Sequence, residues 1–229
     1  MISVIIPTLN AEATLAGTLR ALVPAAVAGL VREVLVVDGG SSDLTADIVE
    51  HAGANLVQAS LGRGHQLKTG AARARFPWLL FLHADTVLAS GWEHEAGAFM
   101  RGIDRQELPL AAAAFRFALD DKGARARVLE RAVALRCATL RIPYGDQGLL
   151  IPKRLYEEIG GYRPLALMED VDLVRRLGRG RVVLLRTQAV TSAERFRREG
   201  YLRRGARNLL CLTLWALRVP IHVIARIYG

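Results

Sequence analysis

The sequence contains only two cysteines among its 229 residues, Cys137 and Cys211, and they lie far apart in apolar, helix-like surroundings. Zinc sites need several cysteines or histidines at close and regular spacing, and that spacing is absent here. Two cysteines so far apart are more typical of buried free thiols in a reducing cytosol than of a disulfide. The sequence therefore predicts neither a zinc module nor a disulfide scaffold.

Targeting signals and long apolar runs are also missing. The N-terminal stretch MISVIIPTLN has neither a basic region nor a small-residue cleavage site, so we expect a strand there and a cytoplasmic protein. Near the C-terminus, residues 209–217 are too short to cross a bilayer, and the extension to residue 225 contains Arg218, Pro220 and His222. The sequence therefore predicts no transmembrane helix.

Acidic residues are scarce only at the C-terminal end. Residues 181–229 hold ten of the 31 basic residues and two of the 22 acidic ones, which leaves 21 and 20 in the first 180. A chain that coats nucleic acid would be basic throughout, whereas this chain concentrates its excess charge in one segment. The distribution predicts a local patch that faces phosphates or an anionic membrane, and no nucleic-acid partner.

The glycine fingerprint of dinucleotide-binding proteins is absent as well. That fingerprint, G-x-G-x-x-G, lies between the first strand and the first helix, where this chain has PTLNAE. Gly62 and Gly64 provide a later G-x-G, but Leu67 occupies the position of the third glycine. We therefore do not expect a nicotinamide or flavin dinucleotide.

The first ninety residues alternate buried strands with amphipathic helices. Strands are predicted at residues 2–6, 33–37, 55–57 and 79–82, and the continuous apolar run at 79–82 is typical of a strand that is covered on both faces. Helical spacing of apolar residues lies between them, so the pattern is βαβαβαβ. Parallel strands joined in this way place their carboxyl ends along one edge, and we expect Pro7, Asp38 and Asp85 to converge there.

Asp85 follows the fourth of these strands in the stretch FLHADTVL. A carboxylate at a strand end can bind a hard divalent cation whose other positions hold phosphate oxygens. The simpler alternative is that Asp85 caps a turn or the next helix.

The second half carries two further polar motifs. After a predicted helix, strand and long helix, a polar loop at residues 145–148 precedes a short strand, and MEDVD places Glu169, Asp170 and Asp172 at a helix start. Acidic residues favour helix N-termini, so capping would explain one of them. Three carboxylates are more than a cap needs.

Together these motifs resemble glycosyltransferase family 2, enzymes of the GT-A fold that use nucleotide-activated sugars. The resemblance covers about residues 1–195 and rests on the order of IPTLNAEATL, VVDGGSSDLT, GRGHQLKTGAA, FLHADTVL, YGDQGLLIPKRLYEEIGGY and MEDVDLVRRL. The chain is especially similar to a small bacterial subgroup with His-Ala-Asp in place of Asp-x-Asp. The fold that this implies is α/β, with a Rossmann-like, mostly parallel sheet flanked by helices.

The resemblance also implies a role for individual residues. The nucleotide pocket would consist of Pro7, Thr8, Leu9, Asp38, Arg63, Gly64, Lys68, His83 and Ala84. Within it, Asp38 would contact the base or ribose, and the segment from Arg63 to Lys68 would be a loop that closes over the nucleotide. Asp85 would bind a divalent metal, Mn²⁺ or Mg²⁺, while His83 is either a ligand or a packing residue.

On the acceptor side, the resemblance places Gly145, Asp146 and Gln147 at the border of the site. Asp170 would be the catalytic base, with Glu169 beside it. A base deprotonates the acceptor hydroxyl, and basic side chains can stabilise the departing diphosphate. Arg195, Arg197 and Arg198 could assist in that second task.

We expect two segments, a catalytic domain at residues 1–195 and a basic, apolar helical extension at residues 196–229. In the extension, Arg203, Arg204 and Arg207 precede an apolar run, and Trp215 and Tyr228 could lie at headgroup depth. This pattern favours an amphipathic helix at a membrane surface. The alternative is packing on its own domain or on a second subunit, so a homodimer is left open.

The function that we expect is transfer of a sugar, with inversion, from a nucleotide sugar to an acceptor hydroxyl, at the inner membrane face or near it. A lipid-linked acceptor is one option. Three other classes stay open: a sugar-phosphate nucleotidyltransferase, a non-catalytic module that binds nucleotide sugar or lipid carrier, and a peripheral membrane scaffold. The nucleotidyltransferase would need a glycine-rich basic loop directly after the first strand, where the chain has PTLNAE.

Overall fold

The computed structural model describes residues 1–228, and in this range eight strands form one sheet flanked by ten α-helices. The strands are β1 Ile2–Thr8, β2 Val31–Asp38, β3 Asn55–Gln58, β4 Trp78–Phe81, β5 Thr86–Leu88, β6 Ala112–Leu119, β7 Leu149–Pro152 and β8 Val182–Thr191. The helices are α1 Leu15–Val27, α2 Thr45–His51, α3 Arg63–Arg73, α4 Trp92–Asp104, α5 Ala124–Leu140, α6 Lys153–Glu158, α7 Glu169–Leu177, α8 Glu194–Glu199, α9 Tyr201–Ala216 and α10 Ile221–Tyr228.

The strands lie in the order β3-β2-β1-β4-β7-β6-β8-β5. The first four are parallel to one another, as the βαβ pattern predicted, and β6 is parallel to β8. β7 is antiparallel to both β4 and β6, and β5 closes the far edge antiparallel to β8. The prediction of a mostly parallel α/β sheet flanked by helices is therefore confirmed.

Strand β1 shows why the sheet is covered on both faces. All seven of its residues are buried, and successive side chains alternate between two cores. Val4 and Ile6 pack with residues of α1 and α4, such as Leu15 and Phe99. Ile5 packs on the opposite face with residues of α3, α6 and α7. A largely apolar run of this kind is typical of a central strand between two helical layers.

The segment from Arg63 to Lys68, predicted as a loop that closes over the nucleotide, is helical, because α3 begins at Arg63. Gly70 lies so close to the sheet that a β-carbon there would be 2.4 Å from Cγ2 of Ile5. A β-carbon on Gly64 would be 2.4 Å from the carbonyl oxygen of Arg163. These glycines therefore permit close packing of a helix, and the prediction that Arg63, Gly64 and Lys68 lie in a loop is wrong.

The C-terminal helices pack against the start of α7. Cys211 of α9 and Ile224 of α10 are fully buried in one apolar cluster with Leu167, Met168 and Val171. Cys211 and Cys137 are buried free thiols, as predicted. Among residues 1–228, no helix is both long and apolar enough to cross a bilayer.

Candidate active site

The carboxyl ends of β1, β2 and β4 lie side by side, as the sequence predicted. β1 pairs in parallel with β2 and with β4, and Thr8 lies opposite Asp38. Pro7 and Thr8 end β1, Asp38 ends β2, and residues 83–85 follow β4. The edge therefore brings together the residues that open α/β sheets use to hold ligands.

Two cavities open at this edge, and they share a wall. The first, called the strand-end cleft below, is lined by Pro7, Thr8, Leu9, Asn10, Thr14, Leu61, Gln66 and Ala84. The second, called the helix cavity, is lined by Tyr144, Asp146, Met168, Glu169, Asp170, Arg204, Asn208 and Tyr228. The shared wall consists of Arg63, His83, Asp85, Ser192 and Arg195.

Asp38 ends β2, but its carboxylate is occupied by the chain itself. It accepts hydrogen bonds from the backbone N–H groups of Gly40 and Ser41, at 3.0 and 2.8 Å, and from the hydroxyls of Ser41 and Thr8. Burial would raise the pKa of Asp38, but these bonds lower the pKa below its ordinary value. Asp38 thus organises the turn beside the cleft, and its contact with a base or ribose stays a prediction.

Gln66 and Asn10 line the cleft, although the sequence did not single them out. Nε2 of Gln66 donates to the carbonyl oxygens of Thr8 at 2.7 Å and Val37 at 2.8 Å, which ties α3 to the ends of β1 and β2. Oδ1 of Asn10 accepts from the backbone N–H of Ser42 at 2.9 Å. A glutamine within the apolar face of a predicted helix could have indicated Gln66, but its hydrogen-bond partners are distant in sequence and are known only from the structure.

Of the three α3 residues predicted to contact a nucleotide, Arg63 lines both cavities. Gly64 is buried against the segment around Arg163, and Lys68 is exposed and is not among the residues lining either cavity. The structure therefore brings Arg63 to the site and leaves Lys68 outside it.

Arg63 forms an ion pair with Glu169, with 3.3 Å between Nε and Oε1. Glu169 is only 2% exposed. Burial raises the pKa of Glu169, and the neighbouring charge of Asp170 raises it further, while Arg63 opposes both. Burial would lower the pKa of Arg63, but Glu169 and Asp170 raise it above its ordinary value. Arg63 therefore stays positive beside both cavities.

The imidazole of His83 is neutral and forms part of the shared wall. Burial lowers the pKa of His83 to about 3, and the positive charge of Arg63 contributes to the shift. A β-carbon built on Gly145 would lie 2.6 Å from Nε2 of His83, so only glycine lets the ring pack against this turn. A neutral ring suits both interpretations of His83, as a metal ligand and as a packing residue.

Asp170 lies in the first turn of α7 and faces the helix cavity. Oδ2 accepts a hydrogen bond from the backbone N–H of Gly145 at 2.7 Å, and Oδ1 accepts one from the N–H of Val171 at 2.7 Å. Both bonds fix the orientation of the carboxylate. The residue that precedes α7 is Met168, in a left-handed conformation, so Asp170 is not the N-cap.

Asp146 is a half-buried residue of the same cavity, and its oxygen Oδ1 is buried. Its Oδ1 has no hydrogen-bond partner within residues 1–228. Burial raises the pKa of Asp146 to about 6, and the charges of Asp170 and Asp85 add to the shift while Arg136 opposes it. The negative form of Asp146 is therefore costly until a positive or donating group enters the cavity.

We expect Asp146→Asn to stabilise the protein near neutral pH. A raised pKa means that the contribution of Asp146 to stability is present below about pH 4 and is lost as the pH rises through about 6. The free energy of unfolding of the variant should therefore exceed that of wild type by roughly 1 to 3 kcal/mol at about pH 7.5. Urea denaturation at several pH values measures this. Asp47→Asn, at an exposed position, is the control, and parallel pH profiles for Asp146→Asn and wild type would contradict the expectation.

Gln147 braces the turn and does not reach the cavity. It is 2% exposed, its Nε2 donates to the carbonyl oxygen of Phe115 at 2.9 Å, and its Oε1 accepts from Sγ of Cys137 at 3.2 Å and from Nη2 of Arg136 at 3.3 Å. Of the three residues predicted on the acceptor side, Asp146 lines the helix cavity and Gly145 contacts Asp170. Gln147 lines neither cavity and holds the turn in place through its hydrogen bonds.

The C-terminal helices contribute side chains that the sequence did not place at the site. Arg204 and Asn208 of α9 and Tyr228 of α10 line the helix cavity together with Asp170. Arg204 and Asn208 are four residues apart, and Cys211 continues the same buried face. That spacing was a visible signal, but the excess of arginine pointed to a membrane surface instead.

The donor atoms around the shared wall fit a cation that binds mainly through phosphates. Asp85 lines both cavities beside the neutral ring of His83, and the unpartnered Oδ1 of Asp146 lies in the helix cavity. In the described part of the chain, no three His, Cys, Asp or Glu residues are grouped so that they could hold a metal alone. Mg²⁺-like ions commonly take one or two carboxylates and complete their shell with phosphate and water.

Comparison with known proteins gives a match in sequence over the N-terminal part. Residues 3–104 match the model of glycosyl transferase family 2. This stretch contains four of the six motifs that carried the predicted resemblance, which is thereby confirmed. No curated protein gives a significant sequence match.

Solved structures match over most of the chain. Glucosyl-3-phosphoglycerate synthase from Mycobacterium tuberculosis, in complex with Mn²⁺, UDP-glucose and phosphoglyceric acid, superposes with a TM-score of 0.63 at 20% identity, covering 96% of this chain and 80% of that one. Residues 1–349 of TarS from S. aureus give 0.62 at 18% identity, covering 99% and 69%. A mycobacterial protein gives 0.57 at 22%, covering 84% of this chain and 65% of its own length. The likeness confirms the predicted fold.

Proposed function

We propose that this chain is a family 2-like glycosyltransferase that transfers a sugar from a nucleotide-activated donor to an acceptor hydroxyl, with inversion. The observation that carries the proposal is the pair of joined cavities. Asp85 lies in the wall that they share, and Asp170 lines the helix cavity but not the strand-end cleft. A donor in the strand-end cleft and an acceptor in the helix cavity would therefore meet at this wall.

We place the nucleoside in the strand-end cleft, against Pro7, Thr8 and Leu9. Ala84 and Arg63 border the same cleft and would lie toward the diphosphate. The M. tuberculosis enzyme binds UDP-glucose and Mn²⁺, which supports a nucleotide sugar and a divalent cation here. Asp85 would hold that cation, Mn²⁺ or Mg²⁺, with His83 beside it, and the bound ion would supply positive charge at the diphosphate.

Asp170 is the proposed base. Its two backbone hydrogen bonds hold the carboxylate in one orientation, so it can accept the proton of an acceptor hydroxyl without reorganising. The hydroxyl oxygen then bonds to the anomeric carbon as the bond from that carbon to the diphosphate breaks on the opposite side. Attack from the opposite side inverts the configuration.

Two arginines of the shared wall would stabilise the departing diphosphate. Arg63 and Arg195 both border the strand-end cleft and the helix cavity. Arg63 is fixed by its ion pair with Glu169, so its charge is in place before the reaction begins. Glu169 therefore supports the site through Arg63, whereas Asp170 faces the acceptor.

The proposal is tested by nucleoside diphosphate release from a panel of nucleotide sugars in the presence of Mn²⁺. We expect one or a few donors to be turned over. Pyrophosphate release from a nucleoside triphosphate and a sugar 1-phosphate would instead indicate a nucleotidyltransferase. Donor binding without any release would indicate a non-catalytic module.

The outer face of α9 is proposed to contact the inner face of an anionic membrane. Leu202 and Leu209 are 89% and 65% exposed, and Leu217, about two turns beyond Leu209 at the C-terminal end of α9, is 71% exposed. Arg203 and Arg218 flank this apolar face and are also exposed. Apolar and basic side chains on one exposed face complement an anionic lipid surface. A lipid-linked acceptor would fit such a location.

Vesicle co-sedimentation measures this contact. We expect anionic vesicles to pellet the protein, neutral vesicles to pellet less, and added salt to release it, because each surface arginine contributes on the order of 1 kcal/mol. Leu209→Ser should weaken pelleting without affecting stability. Equal pelleting with both lipids, or none with either, would contradict membrane contact, and a concentration-dependent dimer that Leu209→Ser disrupts would assign this face to a second copy.

A further inference from the structure

Buried and incompletely bonded polar groups are concentrated on one face of α9. Within residues 1–228, seven buried side-chain polar atoms have no hydrogen-bond partner, and three of them are Nε of Arg204, Nε of Arg207 and Oδ1 of Asn208. Residues at these spacings share one face of a helix. A folded chain normally satisfies its buried polar groups, so a cluster of exceptions calls for a ligand.

The charge in this region is not balanced by the protein. Arg204 and Arg207 share a single carboxylate, Glu199, and Arg204 is only 7% exposed. Arg195 and Arg198 line the adjoining pocket with them and have no ion-pair partner in the described residues. Four arginines therefore face one glutamate, and the surplus of positive charge borders the helix cavity.

The position of the cluster decides which substrate it would meet. Arg204 and Asn208 line the helix cavity, which contains Asp170, but they are not among the residues lining the strand-end cleft. The adjoining pocket with Arg198 and Arg207 shares Arg204 and Tyr228 with the helix cavity, and only Arg195 of its lining also borders the strand-end cleft. A diphosphate bound at Asp85 would thus leave the α9 cluster free for the acceptor.

We propose that Arg204, Arg207 and Asn208 form an anion subsite for the acceptor, so that the acceptor carries a phosphate or carboxylate near the hydroxyl that reacts. This inference rests on the proposed function and names the substrate class for the same site. The guanidinium groups can donate charge-assisted hydrogen bonds to an anionic oxygen, and such bonds are strong. The side-chain amide of Asn208 can donate through its Nδ2–H, whereas its unpartnered Oδ1 is an acceptor that suits a hydroxyl of the same substrate. The aromatic rings of Phe196 and Tyr228 support the guanidinium groups of Arg204 and Arg207 at 5.2 and 5.6 Å.

Calorimetry on the full chain tests the subsite without relying on turnover. The probes are inorganic phosphate and glycerol 3-phosphate, with glycerol as the neutral match, and each is measured with and without a saturating nucleoside diphosphate and Mn²⁺. We expect the two anions to bind in both conditions and glycerol not to bind. Short-chain phosphatidic acid, dissolved below its critical micelle concentration so that no membrane surface is present, forms a second arm, since preference for it over glycerol 3-phosphate identifies a lipid-borne phosphate.

Three variants make the test specific. Arg204→Gln and Asn208→Asp should each weaken phosphate binding by about 10- to 100-fold, the usual worth of a charged hydrogen bond. Arg203→Gln removes the same charge from the exposed neighbour of Arg204 and should leave phosphate affinity unchanged. Asn208→Asp keeps size and shape but repels an anion, so it decides the matter if Arg204→Gln fails to fold.

The inference is overturned if wild type binds neither anion at millimolar concentration, or if Asn208→Asp binds them as wild type does. It is also overturned if Arg203→Gln loses as much affinity as Arg204→Gln. These outcomes are separate from failure of the proposed function, because phosphate binding is measured whether or not any nucleotide sugar is turned over.

Discussion

Asp170→Asn lowers turnover by about 10²- to 10⁴-fold and leaves nucleoside diphosphate binding unchanged, if Asp170 is the base. The substitution preserves size but removes basicity, and Asp170 does not border the strand-end cleft in which the nucleotide is proposed to bind. Turnover and melting temperature should be measured on the same preparation, since the amide can accept only one of the two backbone hydrogen bonds made by the carboxylate.

Asp172→Asn is the matched control for this prediction, because it makes the same change two residues further along α7. Asp172 forms ion pairs with Arg163 at 3.2 Å and Arg176 at 2.7 Å, and it does not line either cavity. The control should lose stability while keeping turnover per folded molecule. Glu169→Gln should cost less turnover than Asp170→Asn. Near-wild-type turnover in Asp170→Asn would rule out its role as base.

In wild type we expect Mn²⁺ to raise the affinity for a nucleoside diphosphate. Asp85→Ala should abolish this enhancement and lower the affinity measured with Mn²⁺ on the order of 100-fold, because it removes a direct ligand of the metal. The fold should persist, because Asp85 is anchored by its backbone carbonyl, which accepts a hydrogen bond from the N–H of Ser192 at 3.2 Å. Alanine keeps that bond.

Calorimetry with a nucleoside diphosphate, in the presence and absence of Mn²⁺, measures the effect. Asp47→Ala removes an exposed carboxylate from α2 and should behave as wild type. If Asp85→Ala retains the full Mn²⁺ enhancement, the cation is bound elsewhere.

The sequence predicted the strand ends that form the site, because strands follow from the local pattern of apolar residues. Buried strands such as β1 and β4 appear as largely apolar runs, and parallel topology then places Pro7, Asp38 and Asp85 at one edge. The helix start at Glu169 was predicted for a similar reason, since acidic residues cluster in a first turn.

The positions of α3 and of the turn at residues 145–147 depend on tertiary packing, and the sequence predicted the roles of their residues less well. Gly64 was predicted to lie in a loop over the nucleotide, but its missing side chain allows α3 to pack closely against the segment around Arg163, where a β-carbon would be 2.4 Å from a carbonyl oxygen. Gln147 looked like an acceptor contact, but its amide is engaged by Phe115 and Cys137. Long-range partners of this kind leave no periodic trace in a sequence.

In the C-terminal helices, the sequence did not show which arginines are exposed and which are buried. Their arginines predicted a surface helix, and Arg203 fits that prediction because it is exposed. Arg204, the next residue, is buried and lines the helix cavity. Composition cannot separate two neighbours that point about 100° apart on a helix.

A crystal structure with a nucleoside diphosphate and Mn²⁺ tests the central claim most directly, because the anomalous signal of manganese locates the cation independently of the refined coordinates. We predict a manganese peak at the carboxylate of Asp85, the nucleoside against Pro7, Thr8 and Leu9 in the strand-end cleft, and the helix cavity in front of Asp170 left open. A nucleotide bound in the helix cavity, or manganese bound away from Asp85, would contradict the account.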